Sequence, residues 1–187
     1  MRIALVGAGR IGAFHAEALS RTADVTELLI ADADAARASA LAERIGARAC
    51  ASVDAAFAAK PDAVVIAAAT DAHAELIVRA ARAGLPVYCE KPIALDLAGT
   101  VAALREVEAA GTILQMGFQR RFDAGYLAAR AAVRSGRLGR LHTVRTITSD
   151  PAPPPAEYVP GSGGLYRDCL VHDFDIIRWG TGREITE

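Results

Sequence analysis

Short apolar runs alternate with longer amphipathic stretches along roughly the first two thirds of the chain. The runs are rich in valine, isoleucine, leucine and alanine, which is typical of parallel strands that are buried on both faces. None of them approaches the ~20 apolar residues that a membrane-spanning helix needs. The pattern predicts strands at residues 3–6, 25–30, 47–50, 63–68, 86–90 and 112–116, with 47–50 as a short edge strand.

The stretches between these runs carry the end signals of helices. Gly46 and Gly84 follow two of them as C-terminal signals, Ser52 is a predicted N-cap, and Thr70 or Asp71 is expected to cap the helix after the fourth strand. The predicted helices are residues 11–19, 34–45, 53–59, 70–83 and 97–110. This alternation predicts an α/β fold with a doubly wound parallel sheet, because parallel strands need crossover helices.

The pattern changes after Met116. The elements predicted beyond it are a helix at 124–135, an exposed antiparallel strand at 140–149, a loop rich in proline and glycine at 150–164 and a helix at 165–179. We therefore predict two domains, an α/β domain over residues 1–118 and the beginning of an incomplete α+β domain over residues 119–187.

Three glycines follow the first strand directly. Gly7, Gly9 and Gly12 have the GxGxxG spacing of a Rossmann dinucleotide site, where they permit the turn, the approach of a pyrophosphate and the packing of helix on strand. The diphosphate is expected beside Arg10 and Ile11, because free N–H groups and the helix dipole favour negative charge at a helix N-terminus. An ordinary strand-to-helix turn is the alternative interpretation of these glycines.

An acidic residue ends the second strand, about twenty residues beyond the glycines, where a ribose-binding carboxylate is expected. This residue, Asp32, would accept hydrogen bonds from the ribose hydroxyls and repel a 2′-phosphate, which favours NAD over NADP. The alternative is that Asp32 only caps the helix that begins near Asp34.

Other candidate residues also follow predicted strands. Ligands of such sheets bind beyond the carboxyl ends of the strands, so Gly7, Asp32, Thr70 and Lys91 are expected at one edge. Lys91 precedes a proline, and its ammonium group can stabilise negative charge on a substrate oxygen. A lysine in a surface loop is the alternative.

The last predicted helix carries a carboxylate and an imidazole four residues apart. Asp168 and His172 would then face the same way, together with Asp175 and Trp179, because a helix advances 100° per residue. Histidine suits proton transfer near neutral pH, and a neighbouring carboxylate can orient it. A solvated ion pair on a surface helix is the alternative.

Composition excludes several classes of protein. The 187 residues are 52% hydrophobic and 23% charged with a net charge of -1, which gives no electrostatic case for binding nucleic acid or an anionic membrane. Cys50, Cys89 and Cys169 lack disulfide or zinc spacing, so we expect a reducing cytoplasm. His15 and His73 lie in helical contexts without a ligand set, so no metal is predicted.

Five motifs together resemble the Gfo/Idh/MocA oxidoreductases, and within them the inositol 2-dehydrogenase branch. In chain order they are GAGRIG at 7–12, ATDAH at 69–73, EKP at 90–92, GFQRRF at 117–122 and GGLYRDCLVHD at 163–173. The resemblance covers essentially the whole chain. It implies a polyol or sugar as substrate, NAD as cofactor and a homo-oligomer.

The resemblance also implies roles for individual residues. Lys91 would be catalytic and contact the substrate, Asp168 would bind the substrate, and His172 would be the acid/base. Thr70 and His73 match a loop that approaches the cofactor, and Glu90 matches a position near the nicotinamide. The implied reaction is hydride transfer to NAD from a secondary hydroxyl of a cyclic polyol or sugar.

Relatives in this family continue into a large antiparallel sheet, of which this chain is expected to hold only the first strand, at 140–149. We expect that strand to pair with another copy or to be poorly ordered, because its backbone groups need partners. Two other functions stay open, an NAD-dependent glycosidase of the same family and a non-catalytic NAD-binding protein.

Overall fold

The computed structural model describes residues 1–156 and 159–186. The chain divides into two compact units, Met1–Gly117 and Phe118–Glu187. Each unit is described by itself below.

The first unit is built on one six-stranded sheet in which every strand pair is parallel. Its spatial order is β3-β2-β1-β4-β5-β6. Successive strands are therefore added on one side of β1 up to β3 and on its other side from β4 onward. The strands are β1 (Arg2–Val6), β2 (Glu27–Ala31), β3 (Arg48–Ala49), β4 (Ala63–Ile66), β5 (Val87–Cys89) and β6 (Leu114–Met116). The predicted doubly wound parallel sheet is confirmed.

Five helices connect these strands. They are α1 (Arg10–Ser20), α2 (Ala35–Ile45), α3 (Val53–Ala58), α4 (Thr70–Arg82) and α5 (Leu97–Ala110). The caps Asp34 and Ser52 accept hydrogen bonds from the first turns of α2 and α3, and Gly46 ends α2 with a φ of 69°. The prediction that Thr70 or Asp71 caps α4 is wrong, because the helix already begins at Thr70 and its N-cap is Ala69.

The core lies on both faces of the sheet. Val64 and Ile66 of β4 pack into one apolar cluster, whereas Val65 between them packs into another. Because side chains alternate along a strand and helices cover both faces, each position of the run is buried. This explains the continuous apolar runs at residues 3–6 of β1, 28–31 of β2 and 63–66 of β4.

The second unit begins with a 3₁₀ helix, Gln119–Phe122. It continues with α6 (Ala124–Arg134), a second 3₁₀ helix (Val159–Gly161), α7 (Leu165–Asp168) and α8 (Val171–Thr181). The predicted loop at 150–164 includes residues 157 and 158, which lie outside the described residues.

Two predictions for this unit are wrong. The strand predicted at 140–149 is absent, because no other segment of the described chain pairs with these residues; its pairing with another copy stays a prediction. The predicted helix at 165–179 is two helices, since α7 ends at Asp168 and α8 begins at Val171. Within residues 1–156 and 159–186, no helix is long and apolar enough to cross a membrane, and no group of three or more histidine, cysteine, aspartate or glutamate residues could hold a metal ion.

Candidate functional site

The turn after β1 has the backbone geometry that its glycines predict. Gly7 has a φ of 104° and donates its N–H to the Ala31 carbonyl at 2.8 Å. A Cβ at Gly7 would overlap the backbone of Ala67, and a Cβ at Gly12 would overlap the carbonyl of Gly7. Both positions therefore require glycine. Gly7 needs it for its positive φ and for the close approach of the Ala67 backbone, and Gly12 needs it for the close packing of α1 on the turn.

The N-terminus of α1 faces open space. A Cβ at Gly9 would meet no atom within 4 Å, and among the described residues no side chain caps the first turn of α1. Arg10 and Ile11 are exposed in that turn. The first N–H groups of α1 are thus available to an anion such as a diphosphate.

Asp32 connects the end of β2 to this turn. Its Oδ2 accepts the Ala8 N–H at 2.6 Å and its Oδ1 accepts the Asp34 N–H at 2.8 Å. Its side chain is only 10% exposed, and Arg37 lies 3.9 Å away. The N-cap of α2 is Asp34, so the alternative that Asp32 is only a helix cap does not hold.

His73 is buried between two loops that follow β4 and β5. Its Nδ1 lies 2.6 Å from the Pro92 carbonyl oxygen, and its Nε2 lies 3.1 Å from the Ala68 carbonyl oxygen. At 1% exposure the ring presents almost no surface to a ligand. It connects the loop after β4, close to Thr70, with the segment that carries Lys91.

Glu90, directly after β5, belongs to a cluster that we call the His15–Tyr88–Glu90 cluster. Glu90 Oε1 lies 2.7 Å from His15 Nε2 on α1 and accepts the Tyr88 hydroxyl at 3.2 Å. The rings of His15 and Tyr88 meet edge to face with centroids 5.2 Å apart. The sequence identified Glu90 as a candidate, gave no role to Tyr88 and predicted a structural or cofactor-edge role for His15.

The surroundings of this cluster favour an ionised carboxylate. Burial raises the pKa of Glu90, but the hydrogen bond and attraction from His15, the Tyr88 hydroxyl and the Lys91 backbone N–H outweigh it. The net pKa of Glu90 is below its ordinary value. Burial and the nearby Glu90 charge raise the pKa of Tyr88, so its hydroxyl keeps its proton and can donate.

In the second unit, Asp168 and His172 lie on different helices. Asp168 is the last residue of α7 and His172 is the second residue of α8. A short break at Cys169 and Leu170 separates the two residues, although both break residues keep right-handed helical backbone angles. Both side chains are partly buried, and the ring of Phe118 meets the His172 ring edge-on at 6.5 Å.

Two arginines of the GFQRRF motif bind carboxylates of α8 that follow this histidine by one and three residues. Arg120 donates to Asp173 at 3.0 Å and to Thr148 at 2.9 Å, and Arg121 donates to both carboxylate oxygens of Asp175. Burial raises the pKa of Asp173, but the bonds from Thr148 and Arg120 outweigh it and lower the net value. Sequence reasoning gave these arginines no role, although their adjacency to the aromatic Phe118 was visible.

Comparison with known proteins assigns the chain to a family. A model described as "Oxidoreductase family, NAD-binding Rossmann fold" matches residues 1–118. The chain belongs to the GFO/IDH/MocA oxidoreductases. A second model, the GFO/IDH/MocA C-terminal domain, matches residues 126–187. The predictions of this family and of NAD as the cofactor are confirmed.

Members of the GFO/IDH/MocA family that act on inositols are similar to this chain. It is 46% identical to an inositol 2-dehydrogenase of Rhizobium meliloti (strain 1021), over 98% of this chain and 56% of that protein. The crystal structure of a myo-inositol dehydrogenase from Corynebacterium glutamicum matches with a TM-score of 0.88 and 42% identity, over 96% of this chain and 54% of that one.

A ligand-bound relative of the same family matches as well. The scyllo-inositol dehydrogenase from Lactobacillus casei, solved with NAD(H) and scyllo-inositol, matches with a TM-score of 0.88 and 31% identity. The match covers 99% of this chain and 57% of that one. The chain thus spans little more than half the length of these relatives.

Replacing Asp32 by alanine is expected to lower the ratio Kd(NADP)/Kd(NAD) by roughly tenfold or more, so that NADP binds better relative to NAD. The repelling carboxylate is removed, and the guanidinium of Arg37 then stands beside the vacated position. Both dissociation constants are measured by calorimetry. Asp34→Ala, which removes the N-cap of α2, is the matched control and should lower stability while preserving the ratio. An Asp32→Ala ratio equal to that of the unaltered chain would contradict the ribose assignment.

Proposed function

We propose that the protein is an NAD-dependent dehydrogenase that oxidises a secondary hydroxyl of a cyclic polyol of the inositol type or of a sugar. The observation that supports this most strongly is the open N-terminus of α1 beside the Asp32 carboxylate, in a chain of the GFO/IDH/MocA family. Residues 1–118 would bind the cofactor, and residues 119–187 would contribute to the substrate domain.

Different residues of the first unit would bind the two halves of the cofactor. The turn of Gly7, Gly9 and Gly12, with Arg10 and Ile11, would receive the diphosphate at the start of α1. Asp32 would bind the adenosine ribose. The ends of β4 and β5 would serve the other half through Thr70 and Glu90, with His73 acting indirectly through the two backbones that it connects.

The chemistry is divided among three side chains and the cofactor. NAD, when bound, supplies the acceptor for the hydride. His172 would take the proton of the substrate hydroxyl, and the ammonium of Lys91 would stabilise the negative charge that develops on that oxygen. Asp168 would orient the substrate and the imidazole. A cytoplasmic location, on the cysteine usage, and a homo-oligomer, on the resemblance of the motifs, are also part of the proposal.

The direct test is NADH formation by the 187-residue chain. The chain is mixed with NAD and a panel of inositols and sugars, and NADH fluorescence is followed over time. We expect net NADH formation with at least one cyclic polyol and none with the His172→Ala variant. Release of a free sugar from a glycoside without net NADH would instead identify a glycosidase. Binding of NAD without turnover of any substrate would contradict a dehydrogenase activity of this chain.

A further inference from the structure

The His15–Tyr88–Glu90 cluster is not used by the proposed proton and hydride transfers. It is nevertheless built from three separate positions of the first unit, on α1, on β5 and directly after β5. The side chains of His15 and Glu90 are each 20% exposed, so the carboxylate is enclosed but still reaches the surface. A Cβ at Gly117 would lie 2.9 Å from the Tyr88 hydroxyl and 3.0 Å from the Glu90 carboxyl carbon, so a larger residue there would crowd the cluster.

The position of the cluster relates Glu90 to one half of the cofactor. Asp32 follows β2, on one side of β1, whereas Glu90 follows β5, on the other side of β1 and β4. A dinucleotide lies across the carboxyl edge at this reversal of strand order, with its diphosphate at the start of α1. If Asp32 binds the adenosine half, the half that extends toward β4 and β5 is the nicotinamide. His15 on α1 then connects the diphosphate helix directly to Glu90.

The hydrogen bonds fix both the place and the charge of this carboxylate. Two donors, His15 and Tyr88, converge on the same oxygen, Oε1. These two bonds fix the orientation of the carboxylate and therefore the position of its other oxygen, Oε2. A ring nitrogen of histidine can donate this bond whether the imidazole is neutral or protonated. A buried and oriented charge acts on a neighbouring charge more strongly than an exposed one, because water screens it less.

We propose that Glu90 sets the redox preference of the cofactor site, with its fixed carboxylate favouring the positively charged oxidised nicotinamide over the neutral reduced ring. The inference rests on the proposed NAD-dependent function. It assigns to Glu90 a role in specificity that is separate from the roles of Lys91, Asp168 and His172. Such a site binds NAD⁺ more firmly and releases NADH more easily.

The test compares the dissociation constants of NAD⁺ and NADH for the unaltered chain and for Glu90→Gln. Both constants are measured by calorimetry without any substrate, so turnover is not needed. We expect the ratio Kd(NADH)/Kd(NAD⁺) to fall by about tenfold in Glu90→Gln, mainly through weaker binding of NAD⁺. An unchanged ratio would overturn the proposal, whether the two affinities stay the same or fall together.

Three variants separate charge from structure. Tyr88→Phe removes one hydrogen bond but keeps the carboxylate, and His15→Gln keeps a donor that never carries a charge, so both should preserve the preference for NAD⁺. Glu108→Gln removes an exposed carboxylate on α5 and should change nothing. Loss of the preference in Tyr88→Phe or His15→Gln as large as in Glu90→Gln would indicate structure rather than charge and would overturn the proposal.

Folding failure and failure of the proposed function can both be recognised. The ratio is taken from molecules that bind, and the calorimetric stoichiometry gives their fraction, so a partly unfolded preparation does not alter it. Glu90→Ala is a second neutral variant in case Glu90→Gln does not fold, with the same expected fall. If the unaltered chain binds neither NAD⁺ nor NADH, the proposed function fails and this inference fails with it; binding of both with equal ratios in all variants overturns this inference alone.

Discussion

Replacing Lys91 by alanine is expected to lower the turnover number by a factor on the order of 10² to 10³, with the dissociation constant of NAD within about twofold of the original. Oxidation of an alcohol passes through alkoxide character on the substrate oxygen. An ammonium aimed at that oxygen interacts more strongly with the transition state than with the neutral alcohol, so its loss affects turnover rather than binding of the cofactor.

The chain offers a matched control for this change. It contains two lysines, Lys60 and Lys91, and each precedes a proline. Lys60 lies before β4, at the amino end of the sheet, whereas Lys91 follows β5 at the carboxyl end. Lys60→Ala should leave turnover and NAD binding unchanged. Equal loss of turnover and of NAD affinity in Lys91→Ala would mean that the lysine holds the cofactor or the fold, and would contradict the catalytic role proposed for it.

The first unit could be predicted from sequence because its signals are local. A parallel strand segment buried on both faces is apolar at every position, as at residues 3–6 of β1 and in β4, and glycine or a capping side chain marks where a helix begins or ends. The prediction of residues 97–110 as a helix agrees with α5 to the residue, since Asp96 accepts a hydrogen bond from the first turn and Gly111 ends it with a φ of 63°.

The second unit was harder because its signals are not local. The alternating pattern of residues 140–149 is typical of a strand, but a strand exists only where another segment pairs with it. The break between α7 and α8 leaves the helical period almost intact, since Cys169 and Leu170 both keep right-handed helical backbone angles. Periodicity alone therefore predicted one helix where there are two.

The candidate site divides in the same way. Gly7, Gly12 and Asp32 could be identified because their spacing in the sequence fixes their place at the turn. The partners of Glu90 could not, since His15 is 75 residues away in the chain and Tyr88, two residues before Glu90, lies on a strand where an aromatic residue is expected in any case. Contacts between distant segments become visible only when the sheet order places α1 beside the end of β5.

The second large effect is expected from Gly12→Ala, which should lower the free energy of unfolding by about 3 kcal/mol or more. The added methyl group would overlap the carbonyl of Gly7, which is backbone and cannot rotate away as a side chain can. Relief requires α1 to move off β1, which would also displace the N–H groups that we propose bind the diphosphate. Chemical denaturation followed by circular dichroism measures the loss, and NAD affinity should fall with it.

Gly9→Ala is the matched control, because the two glycines belong to the same turn but meet different surroundings. A Cβ at Gly9 meets no atom within 4 Å, and Gly9 has a φ of -72°, which alanine adopts readily. We expect its stability to stay the same or to rise slightly, since alanine has less freedom in the unfolded chain. Its NAD affinity should still fall, because the methyl group would occupy the space through which the pyrophosphate approaches. If Gly9→Ala bound NAD unchanged, this open space would not be the diphosphate site; if Gly12→Ala were as stable as the original chain, α1 would not depend on its close packing against the turn.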